Sequence, residues 1–280
     1  MIIDAHVHLL SPRTRRDPAE SFAGEGRFLS VEMSRPDLRA VWNRASYENL
    51  IAEMDRDRVD RAVVFGFPWK SASRCDWDNE YAAECAHRSG GRLLWMAVFQ
   101  PGMAAESVAG FKQFVNDPNF LGMKIKAQFQ DHSLANIELW RPLLNEVGRA
   151  NKHALIHVQQ PISPANGNGP LEFLELMRAF PGLRTIAAHF GGMLGMYWSY
   201  PLARQALENV LFDTALGLTA GEVAAAYTNI GLTDRLVFGS DFPMHSPGKI
   251  IADLKRKLAP EQLDRVLGQN YVRAVARFNS

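Results

Sequence analysis

The sequence predicts a single-domain α/β protein built as a (β/α)8 TIM barrel. The chain has 280 residues, which suits one barrel domain spanning residues 1–280. Eight short apolar runs recur along it, and stretches with helical periodicity separate most of them. Because this alternation is typical of βα units, it indicates parallel strands covered by helices.

The eight apolar runs have the length of β-strands and are rich in Val, Ile, Leu, Ala and Phe. This composition is expected of strands buried on both faces of a parallel sheet. In chain order the predicted strands are Ile2 to Val7, Arg61 to Phe65, Leu93 to Phe99, Leu121 to Ile125, Ala154 to Val158, Arg184 to Ala188, Val210 to Asp213 and Leu236 to Gly239.

Helical periodicity predicts seven helices between the strands and two more after the last one. Asn151 and Gly182 stand just beyond helical runs, where a left-handed cap is favoured, and Pro181 helps to end the fifth helix. The seven predicted helices are Tyr47 to Arg56, Asp76 to Arg88, Ala104 to Asn116, Ile137 to Ala150, Leu171 to Ala179, Pro201 to Glu208 and Ala220 to Ile230.

A long excursion, residues 11–43, separates the first predicted strand from the first predicted helix. Its proline, glycine and charged residues indicate a loop. Loops of this length are usually functional or disordered, and in a barrel this one follows a strand at the face that holds the active site. Two interpretations remain open: a substrate lid, or a surface insertion without a role.

Composition excludes several classes of function. Hydrophobic residues make up 47% of the chain, so it can bury a large core. Lys and Arg total 31 against 30 Asp and Glu, which gives no basis for expecting nucleic acid as a partner. No apolar run reaches the roughly 18 residues of a membrane span. We therefore expect a small-molecule substrate, with neither a nucleic acid nor a membrane as partner.

The two cysteines, Cys75 and Cys85, lie ten residues apart in one helical stretch. This spacing indicates neither a disulfide framework nor a CxxC metal site, and we expect free thiols in a reducing compartment. The sequence starts without a basic segment followed by an apolar one, so no signal peptide is predicted. The expected location is the cytoplasm.

His6 and His8 are two residues apart in the first predicted strand. Alternate side chains of a strand point to the same face, so both imidazoles can converge on one ion. Taken alone, the pair is a weak signal, because two hydrogen-bonded histidines of the core or the surface would show the same spacing.

Further candidate ligands stand at the carboxyl ends of other predicted strands. His157 is at the end of the fifth, His189 at the end of the sixth, and Asp241 follows the eighth. These ends meet around one mouth of a barrel although they are distant in sequence. Neutral imidazoles and a carboxylate suit zinc or a similar divalent ion, which lowers the pKa of bound water to about 7.

Several motifs resemble the amidohydrolase superfamily, and most closely its amidohydrolase-related branch. That branch contains aminocarboxymuconate-semialdehyde decarboxylase, decarboxylases of aromatic acids, and hydrolases of lactones and similar compounds. The similar segments are Asp4 to His8, Leu155 to His157, Ala187 to Gly192, Gly239 to Pro243 and the closing helix Val266 to Arg273, so the resemblance spans essentially the whole chain.

The resemblance implies that His6, His8, His157 and Asp241 hold one divalent metal ion, with zinc expected. It also implies that His189 is the catalytic acid or base, and that Asp241 can help to activate a water molecule. Barrels of this branch often pair, so a homodimer is expected.

Weaker predictions concern the binding of substrate at the mouth. Trp69, Lys126, Gln159 and His245 each follow a predicted strand and are candidate substrate contacts. Lys124 and Lys126 share one face of the fourth strand. Some branches of the superfamily carry a carboxylated lysine there, but this one usually lacks it, so a mononuclear site with one lysine paired to a substrate carboxylate is favoured.

Three functions compete at this stage. The favoured one is a hydrolase, in which metal-activated water attacks an ester, lactone or amide carbonyl of a small carboxylated molecule. The alternative is a non-oxidative decarboxylase of an aromatic or unsaturated carboxylic acid. The third is a barrel that a metal stabilises without catalysis, because a fold does not by itself specify a reaction.

Overall fold

The computed structural model describes residues 1–159 and 168–276. Eight strands form one sheet in which each strand pairs in parallel with the next along the chain. They are β1 (Ile3–His8), β2 (Arg61–Phe65), β3 (Leu93–Ala97), β4 (Phe120–Ile125), β5 (His153–His157), β6 (Thr185–Ala187), β7 (Val210–Asp213) and β8 (Leu236–Val237). The predicted strands are confirmed, with ends that differ by at most two residues.

The barrel closes where β1 meets β8 and the segment after it. The amide of Ala5 donates to the carbonyl of Phe238 at 2.8 Å, and the amide of Asp241 donates to the carbonyl of His6 at 2.9 Å. A third bond, from the amide of His8 to the carbonyl of Phe242, is 2.7 Å long. These bonds confirm the predicted (β/α)8 barrel and set Asp241 beside the histidines of β1.

Helices cover the outside of the sheet, and all seven predicted ones are observed. They are Tyr47–Asp57, Ala72–Arg88, Ala104–Phe114, Ile137–Arg149, Pro170–Ala179, Pro201–Ala206 and Ala220–Asn229, followed after β8 by Pro247–Lys257, Pro260–Asp264, the π-helix Arg265–Gln269 and Asn270–Ala276. Between β4 and β8 there are also short 3-10 turns at Ala127–Gln130, Leu194–Tyr197, Gly217–Thr219 and Thr233–Arg235 and a tight turn at Ala188–Gly191. None of the helices in the described ranges is both long and apolar enough to cross a bilayer.

Two apolar layers hold the barrel together. In β2, Val64 belongs to the layer between sheet and helices, whereas Val63 and Phe65 belong to the layer inside the barrel. This alternation follows from the two-residue period of a strand. Phe65, Met96 and Leu155 are among the buried side chains inside the barrel, and the site described below rests on this layer.

The predicted excursion, called here the capping segment (residues 11–43), contains short helices instead of an irregular loop. They are Pro12–Arg16, Pro18–Phe22, the π-helix Leu29–Met33, the 3-10 helix Pro36–Leu38 and Arg39–Asn43. Ser11 and Asp17 cap the first two, each followed by a proline at the first helical position. Proline at that position favours a helix start, since its missing N–H would be unpaired there anyway.

An aromatic cluster docks the capping segment on the mouth of the barrel. Phe22 packs against Phe67 and Trp69, which follow β2, and Trp42 packs against Phe67. Phe67 also packs against Phe129, which follows β4, and the cluster consists of Phe22, Trp42, Phe67, Trp69 and Phe129. The buried carboxylate of Asp78 reinforces the docking, because it accepts from the amide of Ser11 at 2.8 Å and from the indole N–H of Trp69 at 2.7 Å.

Candidate metal centre

Three of the four predicted ligands converge at the mouth of the barrel. Oδ1 of Asp241 lies 3.3 Å from Nε2 of His6 and 3.5 Å from Nε2 of His8. One donor atom from each residue lies within 4.8 Å of the others. We call this set the His/Asp cluster (His6, His8, Asp241).

The backbone around the cluster is adapted to bring its strand ends close together. A β-carbon on Gly239 would lie only 2.9 Å from Cβ of His6, so this position of the segment after β8 requires glycine. Asp241 and His189 have φ of 61° and 57°. Non-glycine residues seldom adopt this left-handed region, and such conformations concentrate at functional sites.

Asp213, at the end of β7, orients His6, and it was not among the residues singled out in the sequence. Its Oδ2 accepts from Nδ1–H of His6 at 2.7 Å. The lone pair of His6 is therefore on Nε2, the nitrogen that faces Asp241. Asp213 also accepts from the amide of His189 at 2.8 Å. The sequence did contain one signal that could have identified Asp213: it is a carboxylate at the carboxyl end of a predicted strand.

His189 and His157 form a second pair of imidazoles beside the cluster. Nε2 of His189 lies 2.8 Å from Nδ1 of His157, and Nε2 of His157 lies 3.1 Å from Oε1 of Gln159. Nδ1–H of His189 donates to the carbonyl of Ala215, so the lone pair of His189 is on Nε2, the nitrogen that faces Nδ1 of His157. The structure therefore places His157 next to His189, and its role as a fourth ligand stays a prediction.

Lys124 brings a buried cation into the same space. Its Nζ lies 3.1 Å from Nε2 of His6 and 4.8 Å from the centre of the Phe65 ring. Burial lowers the pKa of Lys124 to about 7, and the carboxylates of Asp213 and Asp241 oppose that shift.

The cluster is poised to present neutral imidazoles and an ionised carboxylate. Burial lowers the pKa of His8 to about 4. Burial opposes ionisation of Asp241, but the hydrogen bond from His8 and the nearby His6 and His189 outweigh it, and the pKa of Asp241 lies well below its ordinary value. Burial lowers the pKa of His189 as well, so its ring can accept a proton.

The sequence model of the Amidohydrolase family matches residues 3–275. The chain belongs to the amidohydrolase family. This confirms the resemblance found in the strand-end motifs. No curated protein matches the chain.

Solved structures share the fold over nearly the whole length of this amidohydrolase. The 5-carboxyvanillate decarboxylase of Sphingomonas paucimobilis has a TM-score of 0.80 and 14% identity over 98% of each chain. The one from Novosphingobium aromaticivorans, complexed with manganese, has 0.78 and 16% over 100% of this chain and 96% of that one. The 2,6-dihydroxybenzoate decarboxylase from Rhizobium has 0.75 and 16% over 99% and 98%.

The donor set of this amidohydrolase fits a divalent metal ion. Two imidazole nitrogens and one carboxylate oxygen are the ligands that zinc, manganese and similar ions accept in catalytic sites. The hydrogen bond from His6 to Asp213 supplies the usual second partner of a metal-binding imidazole, which fixes the tautomer and the ring orientation. The burial of the cluster, the tautomer of His6 and the charge of Asp241 therefore suit a cation.

The weaker predicted contacts lie in different surroundings. Trp69 has no exposed surface, and its indole N–H is bound to Asp78, so the structure gives it a packing position in the aromatic cluster. The ring of His245 lies against Gly217 at the rim, 3.0 Å from the place of a β-carbon there. Lys126 is half-buried at the carboxyl end of β4. Substrate contact by these residues and by Gln159 stays a prediction.

Proposed function

We propose that this amidohydrolase is a metal-dependent, non-oxidative decarboxylase of an aromatic carboxylic acid. The observation that carries the proposal is the buried amino group of Lys124, 3.1 Å from Nε2 of His6. Its pKa of about 7 leaves part of it charged at neutral pH, and a bound carboxylate favours the charged form. A decarboxylase must hold a carboxylated substrate beside its donor set, and a cation buried there attracts a carboxylate strongly because the surroundings are apolar.

The solved structures with the same fold support this choice. Three of them are named as decarboxylases of aromatic acids, and the one from Novosphingobium is complexed with manganese. The same comparison favours manganese as the ion, where the sequence predicted zinc. The hydrolase favoured in the sequence is not confirmed, and decarboxylation, its alternative, has the better support.

Metal binding belongs to His6, His8 and Asp241, with His157 as the fourth ligand predicted from the resemblance. A divalent ion held by them supplies a fixed positive charge that binds and polarises oxygen atoms of the substrate. Asp213 keeps the Nε2 lone pair of His6 directed into the site. Lys124 neutralises the reacting carboxylate while the substrate binds.

His189 is proposed to move the proton that the reaction consumes. The bond between the ring carbon and the carboxyl carbon breaks, its electron pair stays on the ring carbon, and carbon dioxide leaves. The ring carbon then needs one proton. Nε2 of His189 takes a proton from solvent and delivers it, while Nδ1–H stays bonded to the carbonyl of Ala215.

The test combines metal analysis with a panel of hydroxylated benzoic acids, lactones and aryl esters. We expect about one metal ion per chain and release of carbon dioxide from at least one acid of the panel. His189→Asn should reduce kcat by about 10²- to 10⁴-fold, the usual contribution of a positioned acid or base. His87→Asn, at an exposed site, is the matched control and should leave kcat unchanged.

Other outcomes identify the competing functions. Hydrolysis of a lactone or ester without release of carbon dioxide would establish the hydrolase. A metal-loaded protein without turnover on any compound, but with a metal-dependent melting temperature, would support a metal-stabilised barrel without catalysis.

A further inference from the structure

Lys126 has no ion pair at contact distance among the described residues. Burial lowers the pKa of its ammonium to about 8, and the more distant carboxylate of Asp241 partly opposes that shift. Its Nζ lies 4.0 Å from the ring centre of Phe129 and 5.3 Å from that of Phe28. These two rings stack at 5.5 Å, one from the capping segment and one from the turn after β4. The half-buried ammonium makes these cation–π contacts but no ion pair or hydrogen bond with a described residue.

Gln128, two residues further on, has a buried amide group without a partner. Neither its Oε1 nor its Nε2 has a hydrogen bond among the described residues. By contrast, Gln130 in the same turn donates to the carbonyls of Trp69 and Phe99, both at 2.8 Å. Buried polar groups are nearly always paired, so an amide left open in this position points to a bound molecule that completes it.

The spacing along β4 relates this region to the His/Asp cluster. Lys124 and Lys126 are two residues apart in extended backbone and point to the same side. Lys124 reaches His6, and Lys126 lies one pleat, about 7 Å, further toward the mouth. A planar acid bound at the cluster through one carboxylate therefore extends toward Lys126.

We propose that Lys126 and Gln128 form a subsite for a second anionic oxygen group on the substrate, a carboxylate or a phenolate. The subsite rests on the proposed decarboxylase function and narrows its substrate class to aromatic acids with two acidic groups. The ammonium of Lys126 gains the anion that it lacks, and the amide of Gln128 donates to an oxygen of the same group.

Direct binding tests the subsite without requiring turnover. Isophthalate and benzoate, which differ by one carboxylate, are titrated calorimetrically into the manganese-loaded protein while carbon dioxide is monitored. We expect isophthalate to bind at least tenfold more tightly than benzoate. Lys126→Met should remove most of that difference and leave the affinity for benzoate within about twofold, since a charge-assisted hydrogen bond accounts for roughly ten- to hundredfold in affinity.

Lys70→Met is the matched control. Lys70 is an exposed lysine whose Nζ pairs with Asp131 at 3.0 Å, and both affinities should stay within about twofold of the native values. If Lys126→Met weakens both probes equally, or neither, the subsite is refuted. Discrimination by Lys126 without any carbon dioxide from the hydroxybenzoic acids would instead refute the decarboxylase and leave the subsite standing.

Gln128→Leu separates binding from packing. Because the amide has no partner to lose, we expect the melting temperature to stay unchanged or rise, while the affinity for isophthalate falls several-fold. A lower melting temperature with unchanged affinity would show that the amide bonds within the protein, and Gln128 would then be removed from the subsite.

Discussion

The His/Asp cluster and the aromatic cluster lie side by side at the mouth of the barrel and are held in different ways. In the first, polar groups are buried, and hydrogen bonds between strand ends set their positions, as between His6 and Asp213. In the second, ring packing dominates, as between Trp42 and Phe67 at 5.4 Å. The two clusters meet where the rings of His8 and Phe67 approach to 4.9 Å.

The comparison indicates that metal binding and stability depend on different residues, although both sets lie at the mouth of the barrel. The free energy of unfolding depends on apolar burial, which the aromatic cluster supplies. Metal affinity depends on tautomer and charge, which the strand ends supply. Substitutions in one cluster should therefore affect mainly one of these two properties.

The largest expected effect is that of His6→Ala on metal binding and activity. Loss of one of the donor atoms should abolish stoichiometric metal binding and reduce kcat/KM by about 10³-fold or more, because the bound ion contributes several kcal/mol to catalysis. Metal analysis and kinetics check this. His87→Ala, at an exposed histidine, should change neither the metal stoichiometry nor kcat/KM. Full activity of His6→Ala would show that the reaction does not depend on the His/Asp cluster.

Trp42→Ala should have the opposite profile. Trp42 is buried and its indole N–H donates to the carbonyl of Met33 at 2.8 Å. We expect about 3–5 kcal/mol lower stability in urea unfolding, with metal stoichiometry unchanged in the folded protein. Trp77→Ala, at a half-buried ring beside Arg13, should cost roughly 1 kcal/mol or less. Equal losses from both would contradict a docking role for the aromatic cluster.

Asp213→Asn tests the orientation of His6 directly. The amide cannot hold the Nδ1–H tautomer as the carboxylate does, so metal affinity should fall about 10- to 100-fold. Competition with a chelator measures this affinity. The exposed Asp264 offers the control Asp264→Asn, which should leave affinity unchanged, and unaltered affinity in Asp213→Asn would show that the tautomer is set by another group.

The smallest effect concerns the two buried thiols, one beside the aromatic cluster and one in the layer between sheet and helices. Cys75 packs with the aromatic cluster and Cys85 with the barrel core. Burial raises the pKa of Cys85 to about 12 and that of Cys75 well above its ordinary value. Neither should react with a thiol reagent at pH 8 until its surroundings open, and mass spectrometry should find Cys75 labelled before Cys85.

The same shifts have a consequence for stability. A thiol ionises near pH 8.5 in the unfolded chain but only at higher pH in the folded one. The unfolded state therefore loses protons first, and the free energy of unfolding should fall as the pH rises above about 8.5. Simultaneous labelling of both thiols would indicate that the capping segment opens only with the whole barrel.

Much of the site could be predicted because its residues occupy strand ends. His6, His8 and Asp241 were found from period and topology, since parallel strands deliver their carboxyl ends to one mouth. Asp213 was missed because a carboxylate at one strand end has no pattern of its own. Gln128 follows the fourth predicted strand and was a weak candidate for the pocket, but the sequence could not show that its amide lacks a partner, because hydrogen bonding depends on the surroundings.

The capping segment also shows the difference between what could be predicted from the sequence and what required the structure. Its prolines indicated a loop, yet Pro12 and Pro18 start helices, because the meaning of a proline depends on whether a cap precedes it. Phe22 and Trp42 dock the capping segment on the mouth of the barrel through contacts with residues far away in the chain, and no local sequence pattern predicts such contacts.

The sequence by itself determined the eight strands, their helices and the family, because alternating apolar runs and motif spacing are local properties of the chain. Only the tertiary structure decided which partner each nitrogen atom faces: Asp213 for Nδ1 of His6, His157 for Nε2 of His189, and for Nζ of Lys126 no carboxylate at contact distance within residues 1–159 and 168–276. The reason is physical. Hydrogen bonds and ion pairs at strand ends depend on distances of a few ångströms between residues whose separation in sequence carries no information about them.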